Sequence, residues 1–110
     1  MRVPNADKAV VEMRKLTNYC LDMSNEIGAH KARVFASALG LAKEDAFLLS
    51  ALLKNAVREN EAELGRADKF GQRYIVDFEA MNGDKKAMVR SVWISESDDT
   101  PPRLVTCFVL

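Results

Sequence analysis

The sequence is poor in the residues that build metal and redox sites. It contains one histidine, His30, and two cysteines, Cys20 and Cys107, with no CxxC pair among its 110 residues. A structural zinc site needs four closely placed ligands of these types, so this composition argues against one. Carboxylates also do not cluster at metal-ligand spacing, and we expect no bound metal. Both cysteines lie among apolar residues, which predicts buried free thiols in a reducing cytosol.

The chain also lacks a net charge and a long apolar run. Lysine and arginine total 16, as do aspartate and glutamate, so the formal net charge is zero. This balance argues against a general nucleic-acid coat protein, because phosphate contacts dominate such binding, although it permits an enzyme with a local basic cleft. No stretch resembles a membrane span or a secretory signal. No Walker A, GxGxxG, HExxH, GxSxG or EF-hand pattern occurs, and we expect a cytoplasmic protein without a cofactor.

The first half of the sequence has helical periodicity. Residues 1–10 predict an irregular lead-in, and helices are predicted over residues 13–21, 29–39 and 43–59. In the second helix, Phe35 and Leu39 lie on the apolar stripe, and His30 lies on the opposite side. Apolar residues surround much of the third helix, which predicts that it is sandwiched in the core.

The second half changes to the period of two that is typical of strands. Strands are predicted over residues 61–64, 71–80, 86–95 and 103–110, and Asn82-Gly83-Asp84 is a hairpin signal. Short connections favour antiparallel neighbours. The sequence therefore predicts one domain, residues 1–110, of the α+β class: two or three N-terminal helices packed on a four-stranded antiparallel meander sheet.

His30 is the first candidate for chemistry, because histidine is the side chain whose ordinary pKa lies near neutrality. On a helix and away from the apolar stripe, it could accept or donate a proton. The alternative is a surface or boundary histidine that caps a loop. The same two interpretations apply to the neighbouring Lys31 and Arg33: they belong to a site, or they lie on a solvated flank of the helix.

The strands supply further candidates. Arg73, Arg90 and Arg103 could grip a phosphate, because the planar guanidinium matches two phosphate oxygens; the alternative is cross-strand pairing with carboxylates such as Asp77. Thr106 is a hydroxyl among apolar residues and needs a hydrogen-bond partner, either a substrate or a neighbouring backbone group.

Two aromatic residues in the strands could stack on a nucleic-acid base. These are Tyr74 and Trp93, and the more common alternative for aromatics in strands is a place in the core. Strand alternation puts Arg73 and Tyr74 on opposite faces unless a bulge intervenes.

The sequence resembles a bacterial domain family of unknown function. The stretches that carry the resemblance cover nearly the whole chain: Pro4-Asn5-Ala6-Asp7-Lys8-Ala9, Lys15-Leu16-Thr17, Gly28-Ala29-His30-Lys31-Ala32-Arg33-Val34-Phe35, Ala38-Leu39-Gly40, Gly71-Gln72-Arg73-Tyr74, Val76-Asp77-Phe78, Val89-Arg90-Ser91 with Trp93, and Pro102-Arg103-Leu104-Val105-Thr106-Cys107. The family resembles one that occurs both alone and at the C-terminus of large toxin-like proteins. The resemblance thus implies a toxin or a toxin-derived domain.

The order of elements, helices followed by a meander, is similar to that of small metal-independent ribonuclease toxins with RelE, barnase or colicin ribonuclease folds. This likeness is an analogy of fold, which does not by itself establish function. It implies metal-independent endoribonuclease activity, with RNA and a cognate inhibitor protein as partners and a monomer or weak homodimer as the assembly. The implied catalytic residues are His30, Lys31, Tyr74, Arg90 and Thr106, and the implied substrate-binding residues are Arg73, Trp93 and Arg103. The alternative is a non-catalytic protein-binding module of the antitoxin or adaptor kind.

Overall fold

Three helices precede four strands in a computed structural model that describes all 110 residues. The helices are α1 (Met13–Lys15), which continues as a π-helix (Leu16–Cys20), α2 (Ala29–Leu39) and α3 (Ala46–Glu59); short 3₁₀ turns cover Ala6–Lys8 and Lys43–Asp45. The strands are β1 (Glu63–Asp68), β2 (Gly71–Asn82), β3 (Lys85–Ser95) and β4 (Arg103–Val109). The predicted α+β class and the antiparallel meander, in the order β1-β2-β3-β4, are confirmed.

The N-terminal helix widens into a π-helix as it reaches the sheet. The amide of Leu21 donates to the carbonyl of Leu16 at 2.8 Å, five residues back. Leu16 and Cys20 are completely buried, while Asn18 on the same segment is exposed. The widened turn thus keeps two side chains in the core, and π-turns of this kind occur frequently at functional sites.

Helix α2 has the predicted bounds and the predicted inner face. Ala32, Phe35 and Leu39 are buried, whereas His30 is exposed. Gly40 ends the helix in a left-handed conformation, with φ of 65°. Gly28 is needed for a different reason: a Cβ atom there would lie 2.6 Å from the carbonyl oxygen of Tyr19. The start of α2 therefore packs directly on the π-helix.

The prediction that the third helix is sandwiched is wrong. The inner side of α3 is buried against the sheet, but Phe47 and Leu48 are 81% and 40% exposed. The fold has only two layers, with the helices on one face of the sheet, so no element covers the outer side of α3.

The strands match their predicted places, with one difference at β1. Residues Tyr74, Val76, Phe78 and Ala80 alternate as the buried face of β2, as a strand period of two requires. β1 begins later than predicted and extends to Asp68, and Leu64 is 63% exposed. A register shift between Leu64 and Ala67 interrupts the alternation from which the strand was predicted.

Strand β4 lies at one edge of the sheet and contains a bulge. Trp93 of β3 faces Leu104, but Val92 faces Thr106, so Val105 is the extra residue. The N-terminal segment pairs with the start of this edge: the amide of Leu104 donates to the carbonyl of Val10 at 3.0 Å. The N-terminal segment therefore lies against β4 just before α1 begins. No helix of the fold has the length and apolar character needed to cross a membrane.

Candidate functional site

The largest cavity is a polar cleft between the N-terminal helix, the start of α2 and the edge strand β4. Its volume is about 610 Å³. We call it the β4 cleft, and its lining comprises Glu12, Arg14, Lys15, Asn18, Tyr19, Lys31, Val105 and Thr106. Three cationic side chains and one carboxylate give the β4 cleft a positive local charge in a chain whose formal net charge is zero.

The hydroxyl of Thr106 is the most unusual polar atom of the β4 cleft. The bulge at Val105 places Thr106 in the lining, where its Oγ1 atom is buried and makes no hydrogen bond. A buried hydroxyl without a partner costs about 1–3 kcal/mol. A ligand that accepts this hydrogen bond would recover that cost.

Lys31 projects from the first turn of α2 toward two aromatic rings. Its Nζ atom lies 4.7 Å from the ring centroid of Phe108 and 5.8 Å from that of Tyr19. Cation–π attraction of this kind fixes an ammonium group without neutralising it. Lys31 makes no ion pair, so its charge is available to an anion in the β4 cleft.

Glu12 is the carboxylate of the β4 cleft, and it forms an ion pair with Arg103. The hydrogen bond and charge of Arg103 lower the pKa of Glu12 below its usual 4.5, and Arg14, at 3.9 Å from Glu12, also lowers it. Glu12 is therefore ionised at neutral pH. Arg103 is held at the rim of the cleft through this carboxylate.

The family comparison covers almost the whole chain. A family model described as a domain of unknown function, DUF6883, matches residues 2–110. The chain belongs to this family. No curated protein and no solved structure matches it. Membership of an uncharacterised domain family is thus confirmed for the DUF6883 chain, whereas the toxin setting and the ribonuclease relation remain predictions.

Of the eight predicted site residues of the DUF6883 chain, Lys31 and Thr106 come together in the β4 cleft. His30 precedes Lys31 in the first turn of α2, but its side chain is exposed and is not part of the lining. Arg103 reaches the rim through Glu12, as described above.

The other two arginines lie on the face of the sheet opposite the helices, and each is paired with a carboxylate. Arg90 donates two hydrogen bonds to Asp77, at 2.9 and 2.8 Å, and this contact raises the pKa of Arg90 and lowers that of Asp77. Arg73 donates to Asp68 at 3.0 Å. These contacts match the cross-strand alternative for Arg90 and a pairing of the same kind for Arg73.

Tyr74 and Trp93 lie on the inner face of the sheet of the DUF6883 chain. Trp93 has no exposed surface, and its indole Nε1 donates to the hydroxyl of Ser91 at 2.9 Å. Tyr74 is 4% exposed. This placement favours the core alternative for both rings, because a buried ring presents no face on which a base could stack. Alternation also puts Arg73 and Tyr74 on opposite faces, as predicted.

Sequence reasoning missed the contribution of the N-terminal helix. Arg14, Lys15, Asn18 and Tyr19 all line the β4 cleft. A signal was present, since Arg14 and Asn18, and likewise Lys15 and Tyr19, are four residues apart and share one helical face. The sequence does not show that this polar face is turned toward β4.

Proposed function

We propose that the β4 cleft binds RNA and cleaves it without a metal ion, as a toxin-type endoribonuclease does. The observation that carries this proposal is the gathering of Arg14, Lys15 and Lys31 around the unpaired hydroxyl of Thr106. Cations attract the phosphodiester, and a hydroxyl without a partner is a ready donor to a phosphate oxygen. In the proposed mechanism the groups of the cleft act by charge and proton transfer.

The proposed reaction is an attack of the ribose 2′-hydroxyl on the adjacent phosphorus. The bond to the 5′-oxygen breaks, and the products are a 2′,3′-cyclic phosphate and a free 5′-hydroxyl. Lys31, with Arg14 and Lys15, stabilises the charge that develops on the phosphate oxygens, and Thr106 donates a hydrogen bond to one of them.

Two protons move in this reaction, one from the 2′-hydroxyl and one to the leaving oxygen. Glu12 is the proposed acceptor, because it lines the β4 cleft and is ionised at neutral pH. Its lowered pKa makes it a modest base that is always in the reactive form. His30 is the proposed donor, which requires the RNA to extend past Lys31 to the exposed imidazole.

The basic character of the β4 cleft also bears on the expected inhibitor. A cell that makes an RNA-cleaving toxin needs a partner that blocks the active site. Since the cleft carries three cations and one carboxylate, we expect the inhibitor to present an acidic surface to it.

The test is incubation of the purified protein with total bacterial RNA in EDTA, followed by detection of 2′,3′-cyclic phosphate ends. We expect cleavage by the wild type and loss of cleavage in Lys31→Met and Thr106→Val. Lys86→Met is the matched control, because Lys86 is exposed on the β2–β3 hairpin and lies outside the cleft. Equal cleavage by all four proteins would refute the proposed site.

The second candidate is a binding module without catalysis. It is favoured by the exposed position of His30 outside the cleft lining and by the pairing of every strand arginine considered above with a carboxylate. It predicts no cyclic phosphate under any condition of the same assay, and growth of the host that is unaffected by expression of the protein.

A further inference from the structure

The two cysteines, distant in the sequence, meet at the contact between the π-helix and β4. Cys20 is the last residue of the π-helix, and Cys107 lies on the inner face of β4 opposite Ser91. Both are free thiols with no exposed surface. Both belong to one buried core cluster, and each side chain shifts the pKa of the other, as two side chains in contact do.

The surroundings make the two sulfur atoms chemically different. The contact with Cys107, together with the charge of Lys31, lowers the pKa of Cys20 to about 7. The same contact and its burial raise the pKa of Cys107. Of the two sulfur atoms, that of Cys20 is therefore the one that ionises more readily, and the thiolate is the reactive form of cysteine.

The β4 cleft gives this pair a route to small reagents. Tyr19 and Thr106, the residues that directly precede Cys20 and Cys107, both line the cleft. Each cysteine thus directly follows, in the sequence, a residue that lines a solvent-accessible cleft. A small neutral oxidant needs only a local opening of the cleft lining to meet the two sulfur atoms.

We propose that Cys20 and Cys107 form a redox site, in which hydrogen peroxide converts the two thiols into one reversible intramolecular disulfide. The thiolate of Cys20 attacks a peroxide oxygen, the O–O bond breaks, and sulfenic acid and hydroxide form; the hydroxide takes up the proton that the Cys20 thiol had released and becomes water. The sulfur of Cys107 then attacks that of Cys20, the S–S bond forms, and hydroxide leaves and takes up the proton of Cys107. Two thiols and one peroxide thus yield one disulfide and two waters. This inference does not depend on RNA cleavage.

Peptide mapping of the wild-type protein tests the proposal without any substitution. The reduced protein is treated with hydrogen peroxide, alkylated and digested with trypsin, which places Cys20 in residues 16–31 and Cys107 in residues 104–110. We expect these two peptides to be joined and lighter by two hydrogens, and to separate again with dithiothreitol. Separate peptides, carrying alkylated thiols or sulfinic acid, would overturn the proposal.

The rate of disulfide formation supplies a second readout. It should rise with pH and level off above about pH 8, because a thiol with a pKa about 7 is then almost fully ionised. A rate that continues to rise in proportion to hydroxide beyond pH 9 would contradict the assignment of Cys20 as the attacking thiolate. Cys107→Ala is the matched variant: it should form no link between the two peptides, and Cys20 should be oxidised more slowly because the contact that lowers its pKa is gone.

Discussion

At the scale of single residues, two groups of the β4 cleft have polar atoms that the fold does not pair. Thr106 has a buried hydroxyl without a partner, and Lys31 is held only by aromatic rings. Arg90 and Arg73 show the opposite case, since both are bound to carboxylates of the sheet. A polar group that the fold leaves without a partner is available to a ligand. This property distinguishes Thr106 and Lys31 from Arg90 and Arg73 better than residue type does.

Replacement of Thr106 by valine tests this view. Valine has nearly the same shape and removes the hydroxyl, so we expect the free energy of unfolding to stay the same or to rise by about 1 kcal/mol. The rate of RNA cleavage should fall about 100-fold, the usual effect of removing one donor to a developing charge. Urea denaturation and cleavage kinetics measure the two effects. A loss of stability would show that the fold itself uses the hydroxyl.

Glu12→Gln tests the proposed proton acceptor. The amide cannot take a proton from the 2′-hydroxyl, and we expect cleavage at neutral pH to fall at least about 100-fold. In the wild type, activity should persist to pH values below 4.5, because Arg103 keeps Glu12 ionised there. Glu59→Gln, on the exposed side of α3, is the control and should cleave normally. If Glu12→Gln retains full activity, another group accepts the proton.

The sequence predicted part of this site and missed another part for a structural reason. Thr106 was named because a hydroxyl in an apolar strand needs a hydrogen-bond partner, and Lys31 because it neighbours His30 and matches a residue type of ribonuclease toxins. Glu12, Lys15 and Tyr19 were missed because their role depends on how the N-terminal helix docks on β4, and no local pattern specifies that contact. Tyr74 and Trp93 are buried, which agrees with the alternative that the sequence analysis gave as the more common one for aromatics in strands.

At the scale of elements, the sheet is strengthened by an ion pair in its two central strands. Asp77→Asn breaks the paired hydrogen bonds from Arg90, and because both side chains are about one-third exposed we expect a loss of only about 0.5–1 kcal/mol. Arg90 lowers the pKa of Asp77, so the stabilisation is complete above the usual pKa of 3.8 and is lost as the pH falls below it.

Chemical denaturation across pH measures this dependence. The difference between the wild type and Asp77→Asn should be constant near neutrality and should shrink in acid. Glu79→Gln is the control, since Glu79 is exposed on the same strand and forms no ion pair. A difference that persists unchanged in acid would show that packing, rather than charge, is responsible.

The contact between α2 and the π-helix depends on a missing side chain. Gly28→Ala would place a Cβ atom 2.6 Å from the carbonyl oxygen of Tyr19, and backbone atoms must move to admit it. We expect a loss of about 1–3 kcal/mol in the free energy of unfolding.

Gly83→Ala is the contrasting variant for this prediction. Nothing lies within 4 Å of a Cβ atom at Gly83, but its φ of 63° is unfavourable for alanine, so only about 1 kcal/mol should be lost. Thermal unfolding compares the two variants. Equal, small losses would show that the close approach at Tyr19 is relieved at little cost.

At the scale of the whole molecule, the sequence predicted a layer of helices and a layer of strands, but not which faces of the helices are covered. The change from helical to alternating periodicity after residue 60 predicted the α+β class correctly. Burial of one face gives apolar residues a period of about 3.6 in a helix and of 2 in a strand. The apolar circumference of α3 misled, since Phe47 and Leu48 satisfy the same pattern whether or not a third layer covers the outer side of the helix. The meeting of Cys20 with Cys107 also follows only from the docking of the helices on β4.

The most direct test of the central claim, that the β4 cleft holds the phosphodiester backbone, is an NMR titration with a short 2′-deoxy oligonucleotide. This ligand keeps the phosphates but lacks the attacking hydroxyl, so it binds without being cleaved. We predict chemical-shift changes concentrated at Tyr19, Lys31 and Thr106, with affinity that weakens as salt is added. Changes centred on Arg73 and Arg90, on the opposite face of the sheet, would contradict the account.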